Sequence, residues 1–263
     1  MIGWGGRASI ALLVACGATA CTGVSTDPQT PISLQFDSLP ALAIVVGDTM
    51  RGGDLLPARV SVRAFNGNGT AVSDTLVRLI GIDTASVRSF RLIAGLRLVG
   101  TSETAAVSIV AQAGALQSQT QTFAVLPRPT GLERGSTNAD SIIYDRPDTS
   151  TRFRDVSVAL VRQVSPDSTK VPLNGLRVQF RVVNFTTTIV DSVRLVGTGS
   201  GRNTTSALMA SGTAGVRVKV YAKPTATLRG VVTLEATHRA LGTNVPGSPF
   251  QFTVTLVPFT LPR

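Results

Sequence analysis

Two thiols, Cys16 and Cys21, and one imidazole, His238, are the groups best suited to covalent or acid–base work in this 263-residue chain. A lone histidine becomes a general base or metal ligand only beside convergent partners. No G-x-S-x-G elbow accompanies it. A zinc site needs clustered Cys, His and carboxylate groups, and no cysteine follows residue 21. His238 follows an apolar alternating run and reads as a solvent-facing residue at a strand end; a hydrolase triad would need distant partners that no motif marks. The run Gly197-Thr198-Gly199-Ser200-Gly201 lacks both the G-x-G-x-x-G spacing and the lysine of a phosphate loop, and is expected to be a hairpin loop. Asp140, Asp145, Asp148 and Asp155 could offer oxygens to calcium. They lack D-x-D spacing and are interrupted by Arg146, Arg152 and Arg154, so salt-bridged or solvated carboxylates are expected. Catalytic, cofactor and metal sites are all expected to be absent.

The thiols have a distinctive setting. Arg7 precedes the apolar run from Ala8 to Ala15, and small residues lead to each cysteine. A signal peptide needs a positive start, an apolar stretch and small residues at the cut. Residues 8–20 would reach only about 20 Å as a helix at ~1.5 Å per residue, short of the ~30 Å bilayer core. The segment resembles a bacterial lipoprotein signal, in which a lipidated cysteine becomes the new N-terminus. Plain secretion, with Cys21 unmodified, is the other reading. Cys21 is the expected lipid acceptor, giving a signal over 1–20 and a polar tether over 21–31. Cys16 is the alternative, because Leu13-Val14-Ala15-Cys16 is nearer the usual lipobox. Thr22 after Cys21, where an Asp would favour inner-membrane retention, implies the outer membrane.

Composition then bounds the rest. Hydrophobic residues make up 43% of the chain, enough for packed cores. There are three Glu and three Lys against 22 Arg. Abundant Val and Thr with few helix formers point to an all-β chain. The formal charge of +10 raises the question of nucleic acid. No short stretch is Lys/Arg-rich, and aromatic stacking platforms are missing beyond Tyr144 and Tyr221. Arginines instead alternate singly with apolar residues, as in Arg177-Val178-Gln179-Phe180-Arg181-Val182, which describes solvated strand faces. No nucleic acid partner is expected; an anionic envelope or surface polymer, or another protein, fits the charge.

The organisation is repetitive. Short alternating runs at Ile32–Phe36, Ala41–Val46, Ala58–Phe65, Leu76–Ile80, Leu96–Val99, Ala105–Ala111 and Thr120–Leu126 predict one β-sandwich over 32–127. Asn66-Gly67-Asn68-Gly69 is a hairpin turn signal between the third and fourth runs. Residues 128–139 are rich in Pro and Gly and read as a linker. A second sandwich is expected over 140–258, from runs at Ser141–Tyr144, Arg154–Val164, Leu176–Val183, Ile189–Val196, Ala214–Tyr221, Leu228–Thr237 and Phe250–Val257. Val60-Ser61-Val62 matches Val156-Ser157-Val158, and Arg97-Leu98-Val99-Gly100-Thr101 matches Arg194-Leu195-Val196-Gly197-Thr198 at almost the same separation. Both halves close on Phe-x-Val, at Phe123 and Phe252.

Val171 to Phe180, Gly212 to Val218 and Gly230 to Ala236 each run from a turn into an alternating strand. On these segments the chain resembles the bacterial immunoglobulin-like domains found in tandem in invasin- and intimin-type proteins and in surface lipoproteins. The resemblance covers roughly 32–127 and 140–258 and implies two tandem immunoglobulin-like β-sandwiches. It also implies a spacer or adhesion module, not a reaction. The expectation is a non-catalytic lipoprotein of the cell envelope, held to the membrane by its N-terminal lipid, periplasmic or surface-facing. A carbohydrate-binding or accessory module of an envelope enzyme system is the alternative. The sequence leaves the oligomeric state open.

Overall fold

The computed structural model describes residues 27–73, 76–135, 141–143, 153–164, 169–185, 193–196, 203–220 and 230–257. The signal segment, most of the tether and both cysteines lie outside them. The described chain is almost entirely β. Its first half contains Ser33–Ser38 (β1), Ala43–Val45 (β2), Ser61–Phe65 (β3), Ala71–Val72 (β4), Arg78–Gly81 (β5) and the helix Thr84–Ser89 (α1). Phe90–Ile93 (β6), Arg97–Gly100 (β7), Thr104–Ala113 (β8), Leu116–Gln117 (β9) and Gln121–Leu126 (β10) follow.

One sheet has the order β1-β3-β4 and a second the order β2-β10-β8-β5, with β9 beside β8; β6 and β7 form a separate ribbon. Ile109, Leu79, Phe123, Val125 and Leu98 fill the space between them. The Phe90 and Phe123 rings meet edge-on, with centroids 6.0 Å apart. The Asn-Gly turn forms, but with different partners from those expected. Asn66 Oδ1 accepts from the amides of Asn68 (3.0 Å) and Thr70 (2.9 Å). This turn joins β3 to the two-residue β4, whereas β5 leaves for the other sheet to pair with β8. The helix was not anticipated. Asp83 caps it, accepting from the Ser86 amide at 2.7 Å. Six residues of largely Ser, Thr and Ala carry too little apolar periodicity to announce a helix.

The second half contains Gly131–Arg134 (β11), Ser141–Ile143 (β12), Phe153–Gln163 (β13), Lys170–Pro172 (β14), Arg177–Phe185 (β15) and Val193–Val196 (β16). Thr204–Leu208 (β17), Ala214–Val220 (β18), Gly230–Thr237 (β19), Arg239–Ala240 (β20), Thr243–Asn244 (β21) and Phe250–Val257 (β22) complete it. The sheet β11-β13-β18-β16 faces the sheet β12-β22-β19-β15-β17. Strict alternation explains the layers. Ala214, Val216, Val218 and Val220 of β18 point inward, as do Val232, Leu234 and Ala236 of β19. Arginines hold the outer faces and meet acids across the sheet. Arg217 lies opposite Asp155 and pairs with it at 2.9 Å; Arg181 lies opposite Glu235 at 3.1 Å.

Both halves share one scheme. The first strand pairs antiparallel with the third (β1 with β3, β11 with β13). The second pairs parallel with the last (β2 with β10, β12 with β22). In the second half this gives the two facing sheets of an immunoglobulin-like sandwich. The Val60/Val156 match and the two Phe-x-Val endings fall at corresponding strands. The Arg97/Arg194 match does not: β7 pairs with β6, and β16 with β18.

Two expectations need correction. Gly131–Arg134, within the stretch read as linker, is a strand. Leu132 is buried, and its amide donates to the Pro246 carbonyl at 2.9 Å; one inserted leucine suffices where the flanks are Pro and Gly. Residues 197–201 lie outside the described residues, but the strands they join, β16 and β17, sit in different sheets. The glycine run therefore does not close a hairpin.

Candidate functional site

The most built-up polar site described here lies where the two sandwiches meet. It begins with β2. All three of its residues are buried, although alternation along a strand exposes one face when only one side is covered. Both sides are covered here. Ile44 packs into the first core, while Ala43 and Val45 belong to the second core with Leu176 and Met209. The apolar triplet Ala43-Ile44-Val45 is what such a doubly buried strand requires, while Leu42 just before it stays exposed.

Gly175 seals this contact. The Leu42 amide donates to the Gly175 carbonyl at 3.0 Å. Gly175 has φ +81, and a Cβ added to it would sit 3.0 Å from both Ala43 Cβ and the Leu42 carbonyl carbon. Only glycine offers both that conformation and that space. Arg177, at the start of β15, reaches back across the boundary. Its Nε donates to the Pro40 carbonyl and its Nη1 to Ser206 Oγ at 3.2 Å. Burial lowers the Arg177 pKa.

Asp48 is the polar centre. The residue is 7% exposed. It accepts from Arg51 Nε and Nη2, both at 2.8 Å, and from the Thr49 amide at 2.8 Å. A fourth donor, the Leu241 amide at 2.9 Å, comes from the turn between β20 and β21 in the second sandwich. Arg51 Nη1 donates to the Leu55 carbonyl at 2.7 Å. A buried ion pair is tolerable when its remaining hydrogen-bonding positions are filled, and here four donors satisfy one carboxylate. Leu241 (φ 53) and Gly242 (φ 80) both adopt left-handed backbone to bring that amide into reach.

His238 belongs to this site and is not solvent-facing, which corrects the sequence reading. It is 2% exposed. Nδ1 donates to the Arg177 carbonyl at 2.7 Å, which fixes the neutral tautomer with its lone pair on Nε2. Nε2 is buried with no hydrogen-bond partner. Burial holds the imidazole below its ordinary pKa; the bond to the Arg177 carbonyl and the charge of Asp48 oppose that shift, and Arg51 reinforces it. Among the described residues, no hydroxyl meets either ring nitrogen. Ala43, Asp48, Arg51, Arg177 and His238 line a small cavity between them. It has room for one water at most, not for a small-molecule ligand. The arrangement can fasten two domains; it has no space to hold a substrate.

The other sequence-derived candidates lie elsewhere. Cys16 and Cys21 fall outside the described residues, as do Asp140, Asp145 and Asp148. Asp155 is paired with Arg217. Among the described residues, no three His, Cys, Asp or Glu side chains are grouped to hold a metal, and no helix is long and apolar enough to cross a membrane.

No protein-family profile matches the chain, and no curated protein matches it in sequence. Solved structures do match. Domains 4–9 of the surface layer protein SbsC align over 88% of this chain and 32% of theirs, at 12% identity and TM-score 0.29. The Yersinia pseudotuberculosis adhesin InvE aligns over 87% of this chain and 58% of its own, at 14% identity and TM-score 0.33. A glycoside hydrolase family 2 β-glucuronidase aligns over 89% and 21%, at 14% identity and TM-score 0.31. The chain therefore spans about a third of the SbsC fragment and somewhat over half of InvE. The fold assignment rests on the strand order given above.

Proposed function

We propose that this chain is a non-catalytic module of the bacterial cell envelope, tethered by lipid on Cys21, in which two sandwiches act as one stiff structural or adhesive unit. The observation that carries the reading is the junction. Both cores share β2, and Asp48 collects hydrogen bonds from both sandwiches. A shared apolar strand and a buried four-donor carboxylate favour a fixed arrangement over a hinge, which suits a spacer that must hold a surface at a set distance. The lipid follows from the thiols near the start of the chain and the polar residues after Cys21. The test is metabolic labelling with a radioactive fatty acid in a two-membrane bacterium, combined with antibody labelling of intact and permeabilised cells. Incorporation that survives Cys16→Ser and is lost with Cys21→Ser supports the reading. Secretion of unlabelled protein from both forms contradicts it.

A further inference from the structure

The arginines are not partnered evenly. Arg63 pairs with Asp37, Arg162 with Glu103, Arg181 with Glu235, and Arg217 with Asp155. Arg78 holds Gln112. Among the described residues, Arg88, Arg128, Arg154, Arg177 and Arg239 also lack an acidic partner, but Arg59, Arg91 and Arg97, which lack one as well, gather on one small feature, the β6–β7 ribbon. In its register Arg91 lies opposite Val99, and Ile93 opposite Arg97. Arg91 and Arg97 therefore share a face as diagonal neighbours, roughly 7–8 Å apart at the backbone. The Arg59 guanidinium covers the ribbon's turn: a Cβ on Gly95 would sit 3.0 Å from its Nε and 3.1 Å from its Cζ. Arg59 and Arg91 are exposed. Arg97 is half-buried, and its Nε is enclosed without a hydrogen-bond partner. Arg91 and Arg97, like charges on diagonal positions with no acid beside them, repel one another, and an anion between them relieves that repulsion.

We propose that the β6–β7 ribbon, with Arg59 over its turn, is a docking surface for an anionic polysaccharide whose carboxylates take the guanidinium forks of Arg59, Arg91 and Arg97. The envelope location of such a partner rests on the function proposed above. Guanidinium suits this chemistry because its planar donors match a carboxylate in pairs. The ribbon's place in the fold favours a polymer over the membrane that would carry the chain. The N-terminal segment enters at one end of β3, where the Ile32 amide donates to the Phe65 carbonyl and Asn66 Nδ2 to the Pro28 carbonyl. The ribbon's turn is at the other end, where the Val60 amide donates to the Leu96 carbonyl. Five residues of β3 at ~3.3 Å each separate the two by about 16 Å. The ribbon exposes no aromatic ring for sugar stacking, so recognition runs through charge. It will be sensitive to salt and indifferent to neutral polymers.

The experiment is native gel electrophoresis of the full chain, with Cys16→Ser and Cys21→Ser to remove lipid, through gels containing polygalacturonate or neutral dextran. Arg59→Gln/Arg91→Gln/Arg97→Gln is compared with Arg63→Gln/Arg181→Gln/Arg217→Gln, which removes the same charge from partnered positions. The double variant Arg59→Gln/Arg91→Gln, altering only exposed residues, covers the case in which changing Arg97 disturbs folding. Retardation by polygalacturonate but not dextran is expected, weakened about threefold per ribbon arginine and little changed in the partnered-position variant. Equal loss in both variants would reduce the effect to net charge and overturn the proposal. So would unchanged retardation in the ribbon variants. Binding to phosphatidylglycerol vesicles that falls with the ribbon substitutions, while polygalacturonate retention does not, would reassign the surface to membrane and equally overturn it. None of these outcomes depends on where the protein resides in the cell.

Discussion

Replacing Asp48 with alanine is the perturbation from which the junction has most to lose. The substitution removes one carboxylate and strands four donors: two from Arg51, the Thr49 amide and the Leu241 amide. The side chains of Arg51 and Asp48 are 11% and 8% exposed, so water does little to rescue the cation left behind. Breaking a buried pair from one side costs about 3–5 kcal/mol, and loss of the inter-sandwich Leu241 bond falls within that figure. Removing both partners is milder, since no buried charge remains. Asp48→Ala/Arg51→Ala should therefore fall short of the summed single effects by about 1 kcal/mol or more. Urea unfolding followed by circular dichroism measures this. Wild type is expected to unfold in one transition and Asp48→Ala in two, because the buried junction carries most of the coupling and the exposed Arg162–Glu103 pair across the halves adds little. A single variant losing under about 1 kcal/mol, with additive effects and one unchanged transition, would refute the claim that Asp48 fastens the two halves.

Other outcomes follow from the same geometry. Gly175→Ala forces a Cβ into contact with Ala43 and Leu42 at φ +81 and should cost about 1–3 kcal/mol, read as a lowered melting temperature. His238 is neutral in the folded protein, with its pKa depressed chiefly by burial. The unfolded chain then binds the extra proton below its own pKa of about 6.5. Stability should be full at pH 8 and decline as pH falls through about 6.5; His238→Phe should flatten that decline, and an unchanged slope would refute the assignment. Phe180→Ala empties the centre of the second core and should cost about 3–5 kcal/mol in urea unfolding. Asn66→Ala removes the acceptor for two turn amides and the bond to Pro28; roughly 1–2 kcal/mol should be lost, with faster proteolysis near residue 68.

Much of the fold was legible because its strands are amphipathic with period two. β13, β18, β19 and β22 emerge from the sequence within a few residues of their observed ends. The junction was legible in principle and misread in practice. Val232, Leu234 and Ala236 occupy alternate positions, and His238 continues that series, so periodicity places the imidazole on the buried face. The apolar residues 43–45 carry the mark of a strand covered on both sides, but nothing in them says that the second cover is another domain. β11 and α1 escaped for a different reason. Each is stabilised by a local device, one inserted leucine or one capping aspartate, which periodicity does not register. Asp48 and Arg51 offered only a short acidic–basic spacing; their role depends on Leu241, almost two hundred residues away, and such a partner is set by topology alone.

The central claim is that the sandwiches form one stiff body, and a distance between them tests it most directly. No cysteine follows Cys21, so after Cys16→Ser and Cys21→Ser the chain accepts two spin labels cleanly, at the exposed positions Gln119→Cys and Thr253→Cys. Pulsed electron spin resonance at pH 8 should give one narrow distance distribution that broadens with Asp48→Ala. A broad distribution in the unaltered junction, unchanged by Asp48→Ala, would contradict the account.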